Sequence, residues 1–451
     1  MTAPPLVVIG AGPIGLAAAS NARSRGMDVV VLEAGDTAGH AVRQWGHVRL
    51  FSPWSELVDP VGERLLVQAG WKRPPAAEYP TGADWAREYL QPLADVLTPS
   101  IRYGHRVTGV AKQGRDRLVD AGRGSAPYVV HVSTAAGEQR IAARAVVDAS
   151  GTWSTANPLG GDGLPAVGEK EHSDRIAYRI PDFRDVRTLH RYAGKHTVVA
   201  GTGASAMTVL IELANVAAQH PGTRISWLVR RSDVGTFGGG ADDQLVARGA
   251  LGLRAHEAVD SGRVRTITGF RASTVGLDDD GRLRLDSFDG QHLDGVDEIV
   301  VVTGFRPDLA ILSGVRLDLD PVLHAPRALA PLIDPNVHSC GTVYPHGAQE
   351  LAQPDAGFYL TGMKSYGRAT SFLALTGYEQ ARSVVAAIAG DDEAAANVEL
   401  TLPETGVCGG AGRFDQADGS GGGCCTAPTV GPLVIAGSRA QVNLLDADVT
   451  S

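Results

Sequence analysis

A chain of 451 residues has room for two or three domains with sizeable cores, and 43% hydrophobic with 20% charged residues is the balance of a folded globular protein. A formal net charge of −9 argues against general nucleic-acid binding, and four cysteines in so long a chain are no disulfide framework. No apolar run approaches the ~20 residues that span a bilayer, and no basic segment precedes the first apolar run, so neither membrane span nor signal peptide is read and a cytoplasmic setting is expected.

The first element is a strand, Leu6 to Ile9, followed by Gly10-Ala11-Gly12-Pro13-Ile14-Gly15 and an Ala-rich helix. In this G-x-G-x-x-G pattern Gly10 permits a tight turn, Gly12 lets the backbone approach a pyrophosphate, and Gly15 lets helix and strand pack closely. The helix N-terminus offers unpaired N–H groups to that anion. A second strand, residues 28–32, ends in Glu33, an acid suited to a ribose hydroxyl. Small residues then follow, with Ala34, Gly39 and His40 among them, and let the backbone pass close to a ligand. Residues 45–54, with Trp45, Arg49 and Trp54, either cover a flat ring system or form an ordinary loop packed by the two tryptophans. A helix is predicted from Asp84, as its N-terminal cap, to Val96. Residues 101–150 read as β-rich, with Val107 in one strand and Ala149-Ser150-Gly151 ending another. Gly160-Gly161-Asp162-Gly163 marks a linker.

A second start follows at His196–Ala200, with Gly201-Thr202-Gly203-Ala204-Ser205-Ala206, where Ala206 stands in place of the third glycine. The next strand ends in Arg230-Arg231 in place of an acid. Two guanidinium forks suit a 2′-phosphate, so the first turn is expected to take an unphosphorylated ribose and the second NADPH; the alternative is a solvated strand end. Residues 298–302 form a closing strand before Thr303-Gly304, which with Ala149-Ser150-Gly151 makes a weak internal repeat. The chain then returns through a strand ending at Gly362-Met363 and a helix from Ser371 to about Ala389. Residues 391–451 read as a largely flexible tail, whose Cys408, Cys424 and Cys425 are soft ligands for a metalloid, thiols for electron exchange with a flavin, or inert. His338, Cys340 and His346 share a loop read as a buried cysteine with surface histidines.

With these pieces placed, residues 5–390 resemble the flavoproteins with two dinucleotide-binding domains, and most of all the flavin-containing monooxygenase branch. The resemblance rests on the first glycine turn with Glu33, Arg49-Leu50-Phe51-Ser52-Pro53, Ala149-Ser150-Gly151-Thr152-Trp153, the second turn, Val302-Thr303-Gly304-Phe305 and Gly362. It implies an α/β fold of two Rossmann-like domains, the NADPH domain (159–307) inserted in an FAD domain (1–158 and 308–390), with the tail from 391. It implies FAD held by Gly10, Gly12, Pro13, Ile14, Gly15, Glu33, Ala34, Gly39, His40, Trp45, Arg49, Val107, Ala149, Ser150, Gly151, Gly362 and Met363. NADPH falls to Gly201, Gly203, Ala204, Ser205, Ala206, Arg230, Arg231 and Gly304. The implied reaction is hydride transfer from NADPH to flavin, then oxygenation of a small soft nucleophile or carbonyl substrate through a peroxyflavin, in a protein that is a candidate homodimer. Gly168 and His172 fit the monooxygenase fingerprint, while Ala166 and Ile176 depart from it. The tail resembles those of flavoproteins associated with arsenic resistance. Two alternatives stand beside this: an NADPH-dependent reductase using the tail cysteines, and a metalloid-binding or redox-sensing flavoprotein with little turnover.

Overall fold

The computed structural model describes residues 3–232, 234, 237, 243, 245–335, 343, 345–370, 372–398 and 400. The chain divides into Met1–Ala417 and Asp418–Ser451, and every described residue lies in the first unit. Sixteen strands are described, in four sheets. The first five-stranded parallel sheet uses β1 (Leu6–Ile9), β2 (Val29–Leu32), β3 (Ile101–Arg102), β7 (Ala145–Asp148) and β16 (Phe358–Leu360), in the order β16-β7-β1-β2-β3. β1 is central and all four of its residues are buried, as expected for a parallel strand covered on both faces. Leu6 and Val8 pack with helix α1 (Pro13–Ser24). Val7 and Ile9 face the opposite layer, an antiparallel sheet of β4 (Arg106–Lys112), β5 (Tyr128–Thr134) and β6 (Gly137–Ala143).

The second half repeats this layering. β8 (Ile176–Ala177), β9 (His196–Ala200), β10 (Arg224–Leu228), β11 (Val264–Ile267) and β15 (Glu298–Val301) form a parallel sheet in the order β11-β10-β9-β15-β8. Val199 and Val300 pack toward a helix, Ala204–Gln219, while Val198, Ile299 and Val301 pack toward the antiparallel sheet of β12 (Ala272–Leu277), β13 (Leu283–Ser287) and β14 (His292–Val296). The internal repeat is therefore three layers deep in both halves, where the sequence offered a strand, a glycine turn and a later strand ending in a small residue and glycine. The chain leaves the first sheet after β7 and rejoins it at β16, so the part that carries β8 to β15 is an insertion, as expected.

Several expectations are corrected in detail. The helix expected from Asp84 begins at Gly82, with Thr81 as its cap: Thr81 Oγ1 accepts from the Asp84 N–H at 3.2 Å and Asp84 accepts from the Thr81 N–H at 3.1 Å. Asp84 is thus the third residue of a reciprocal capping pair. Gly160 and Gly161 are no free linker, since the Gly161 N–H donates to Ala272 O at 2.9 Å and a Cβ on Gly161 would lie 2.7 Å from Arg271. The expected tail does not begin at 391. Asp391 caps a helix, Asp392–Ala396, Ala395 is buried, and Ser383 Oγ donates to Ala395 O at 2.6 Å. His346, expected at the surface, is buried, and Gln380 Nε2 lies 3.0 Å from its Nε2. His338, Cys340, Ser371, Cys408, Cys424 and Cys425 lie outside the described residues. No described helix is long and apolar enough to cross a membrane.

Candidate functional site

The first glycine turn forms where β1 ends in the middle of its sheet. Gly10 has φ +97°, donates to Leu32 O at 2.8 Å, and a Cβ there would lie 3.0 Å from Ala149 O. A Cβ on Gly15 would overlap the Gly10 carbonyl oxygen, so only glycine lets α1 lie this close. Gly12 differs from both: its φ of −78° suits any residue, and a Cβ there would meet no atom within 4 Å. Neither its conformation nor its neighbours therefore require a glycine for the fold. Gly12 caps α1 without a side-chain hydrogen bond and Pro13 opens the helix, which leaves first-turn N–H groups for an anion.

Glu33 is nearly buried at the end of β2, and its two carboxylate oxygens accept from the Ala11 N–H and the Gly35 N–H, each at 2.7 Å. The acid thus braces the turn itself, and each oxygen keeps a lone pair for a ribose hydroxyl. The Gly39 N–H donates to Ala11 O at 2.9 Å, and His40, which opens helix α2 (His40–Gln44), lies against Gly35. From the other side, the Ala149 N–H donates to Ile9 O at 3.0 Å, and a Cβ on Gly362 would lie 3.0 Å from Ile14 Cγ1. The structure so gathers Gly10–Gly15, Glu33, Ala34, Gly39, His40, Ala149–Gly151 and Gly362-Met363 about one turn. Trp45 packs on Trp85 at 6.5 Å, Trp54 is buried, and Arg49 bonds Tyr79 O, so residues 45–54 are a packed loop. The Val107 side chain is in the core beside Val7 and Ile9.

Beneath this turn lies an ion pair that the sequence reading passed over. Lys364 Nζ and Asp148 Oδ2 are 2.7 Å apart, both side chains fully buried. Lys364 also donates to Ser150 Oγ at 3.0 Å, and Ser150 donates through Oγ to Asp148 Oδ1 at 2.6 Å. The pair fixes the exposed Ser150 at the rim of the turn. The available signal was Asp148 closing an otherwise apolar buried strand, because a buried carboxylate needs a partner. Gln380 is similar: its Oε1 accepts from the Gly362 N–H at 2.8 Å and its amide donates to Ser365 Oγ at 3.0 Å, which ties the return turn to the last long helix.

The second turn precedes helix α3 (Ala204–Gln219). Gly201 has φ +130°, and a Cβ there would lie 2.5 Å from Val302 O. Gly203 caps α3 with φ −83° and no side-chain bond, and a Cβ there would again meet nothing within 4 Å. Ala206 is fully buried and donates to Gly203 O at 2.9 Å. Trp227 Nε1 donates to Gly201 O at 2.7 Å. Arg230 is exposed and Arg231 half-buried just past β10, and the Gly269 N–H donates to Arg231 O at 2.6 Å. Gly304, at φ +94°, accepts from the Asn157 N–H at 2.9 Å.

The halves meet through residues that follow matching strand ends. Trp153 and Phe305 stack with centroids 4.8 Å apart, Trp153 Nε1 donates to Gln44 Oε1 at 2.8 Å, and the Arg179 guanidinium lies 4.5 Å over the Trp153 ring. Beside them a cleft of about 570 Å³ opens between Arg43, Gln44 and His47 of the first half and Ile180, Asp182 and Arg184 of the second. Among the described residues no cluster of three or more His, Cys, Asp or Glu is placed to hold a metal ion.

Residues 7–326 match the family model described as pyridine nucleotide-disulphide oxidoreductase. A comparison with curated proteins finds no match. Among solved structures, the chain is similar to the bacillithiol disulfide reductase of Bacillus cereus (17% identity over 87% of this chain and 100% of that one, TM-score 0.64). It is similar to the FAD-bound cadaverine monooxygenase of Erwinia amylovora (15%, 89% and 99%, TM-score 0.61) and to a flavin-containing monooxygenase of Stenotrophomonas maltophilia (22%, 86% and 99%, TM-score 0.55).

Proposed function

Because the chain belongs to the pyridine nucleotide-disulphide oxidoreductase family, we propose that it is an FAD-dependent oxidoreductase that takes electrons from NADPH and oxygenates a small soft nucleophile or carbonyl compound. The observation that carries this reading is the pair of glycines, Gly12 and Gly203, whose conformations do not require glycine and whose Cβ positions face open space at two separate turns. Each is what a closely approaching dinucleotide needs. When bound, FAD supplies hydride acceptance and reaction with oxygen. The chain's own residues do the rest. The Gly10–Gly15 turn and the α1 N-terminus hold a diphosphate, and Glu33 holds a ribose and keeps the turn closed. Arg230 and Arg231 select the phosphorylated nucleotide. Trp153 and Phe305 cover the junction, and the cleft beside Gln44 and His47 gives a small substrate its entry. Residues 159–307 act as the NADPH domain, since every strand of the second parallel sheet falls within them.

Oxygenation is favoured over thiol reduction by the sequence, which carries no C-x-x-C or C-x4-C pair and has Cys340 as its one cysteine ahead of Cys408. The reductase reading rests on the likeness to the bacillithiol disulfide reductase and on cysteines outside the described residues. The test is NADPH oxidation by the purified yellow protein with oxygen uptake followed in parallel. Oxygen consumed in step with NADPH, and transferred to a sulfide or ketone probe, supports the monooxygenase. Oxygen-independent NADPH oxidation with a low-molecular-weight disulfide, accompanied by new titratable thiols, would replace it with the reductase.

A further inference from the structure

Two guanidinium groups from distant parts of the chain converge on Gly163. Arg306 follows β15 at the carboxyl edge of the second sheet. Its Nε donates to Asn157 Oδ1 at 2.7 Å and its Nη2 to Gly163 O at 3.1 Å, which uses two of its five donors. Arg368 follows the return turn Gly362–Tyr366 and is exposed. Its Nη2 lies 3.9 Å from the Cβ position of Gly163, and its only bond among the described residues is made by its backbone N–H, to Leu323 O at 2.7 Å. That bond brings in His324, a half-buried residue at φ +58° and the one non-glycine with positive φ among those described.

The surrounding acids are turned to other work. Asp162 accepts from the Leu164 N–H, Asp308 from the Ala310 N–H, and Asp320 from the Val322 and Leu323 N–H groups. None pairs with either guanidinium among the described residues. Burial and Arg368 push the Arg306 ionisation down, and burial, Arg368 and Arg306 push His324 down against the pull of Asp320. Cations held together without a carboxylate repel one another, and the arrangement is relieved by an anion between them. Ligands of such sheets bind outside the carboxyl ends of the strands, where Arg306 stands.

We propose that Arg306 and Arg368, with His324 next in the chain to the Leu323 carbonyl that Arg368 binds, form an oxyanion site that takes a phosphate group between two guanidinium forks. The phosphate belongs to a bound dinucleotide or to a separate anionic substrate. Neither guanidinium belongs to the Gly10–Gly15 or the Gly201–Ala206 turn, so each can be changed without altering those turns.

Arg368 is the residue to change, because it is exposed and its side chain bonds no described residue. The probe is inorganic phosphate, titrated at constant ionic strength into the flavin-loaded, NADPH-free protein, with the thermal midpoint and 31P line width followed. The wild-type midpoint rises with phosphate. Arg368→Gln starts at a higher midpoint, since a repulsion is gone, and loses the rise; its phosphate affinity falls by about tenfold or more, the loss of one charge-assisted contact. Arg368→Lys retains part of the response. If phosphate raises the NADPH KM and Arg368→Gln does the same, the phosphate is the dinucleotide's. If the phosphate response is lost while that KM stands still, it belongs to a separate anion. A wild type indifferent to phosphate, or an Arg368→Gln protein that responds in full, overturns the site.

Discussion

The first glycine turn is closed by a carboxylate and the second by an indole. Glu33 receives two backbone N–H groups at 2.7 Å, from Ala11 and Gly35, whereas Trp227 donates once, to Gly201 O, from inside the core. At the third position of the motif, α1 lies so near β1 that Gly15 has no room for a methyl, while α3 stands off enough for Ala206 to be fully buried. The middle glycine is alike in both: extended, uncapped and facing open space. The comparison separates three jobs that one motif conflates. The outer positions set helix-to-strand distance; in the proposed function the middle one admits the ligand and the strand end chooses it. The first turn is closed by charge-assisted hydrogen bonds and the second by a neutral one, and the charge-assisted bonds are the stronger.

The largest expected effect comes from exchanging the third positions. Gly15→Ala forces backbone against backbone, and overpacking of this kind costs about 3 kcal/mol or more. Ala206→Gly costs about 1 kcal/mol, the propensity difference in a helix. Denaturant unfolding of the two variants measures both, and equal losses would erase the distinction in helix distance. pH separates the halves next. Asp59 caps the helix Pro60–Gln68, accepts from the Gly62 N–H at 2.6 Å, and is pushed up by burial to about 7. The folded state therefore holds a proton that the unfolded chain releases near 3.8. That stability is full below the unfolded value and drains as pH rises toward 7, by about 4 kcal/mol at most from the shift of about three units. His196 in the second half runs the other way. Burial holds its imidazole below the usual range, between Gly295 O and Ser226 Oγ, so stability present above 6.5 is lost as pH falls from there through the depressed folded value. Asp59→Asn should flatten the first slope and His196→Gln the second, both read from unfolding midpoints between pH 4 and 8.

Smaller in stability and decisive for ligand are the middle glycines. Gly12→Val should keep an unfolding free energy within about 0.5 kcal/mol of flavin-free wild type, since a Cβ there meets no atom within 4 Å, and give colourless protein. Gly203→Val should stay yellow and lose NADPH oxidation. A yellow Gly12→Val protein, by absorbance against protein content, would end the assignment of FAD to the first turn.

Both turns, Glu33 and the inserted order were legible because each is local: a strand of apolar residues, glycines at fixed spacing and a charge at the next strand end. What was not legible is what comes from afar. Asp148 meets Lys364 across more than two hundred residues, and Trp153 meets Phe305 across the whole insertion. Sequence spacing carries no trace of either pair. The capping error at Asp84 has a different origin: Thr81 and Asp84 both suit a cap, and only the reciprocal bond between them decides which is which. Residues 391–398 read as tail for their Ala and Asp content, yet Ala395 finds a buried place beside Ser383 that composition does not announce.

The strand ends give the last prediction, and it bears on the choice of nucleotide alone. A carboxylate at the end of β10 would repel a 2′-phosphate, and Arg230 and Arg231 stand there instead, one exposed and one half-buried. A charge-assisted contact of this kind is worth about 1.5–3 kcal/mol, so Arg230→Ala with Arg231→Ala should raise the NADPH KM about tenfold to a hundredfold. NADH lacks the phosphate and should be used almost as before, which distinguishes lost recognition from a damaged domain. Glu33→Arg is not the mirror experiment, because Glu33 also accepts the Ala11 and Gly35 N–H groups and a cation there would repel both. Its expected outcome is loss of the flavin and not a switch of nucleotide. If the wild type uses NADH and NADPH equally, the two strand ends do not differ in what they select, and the opposition between the turns reduces to how each is braced.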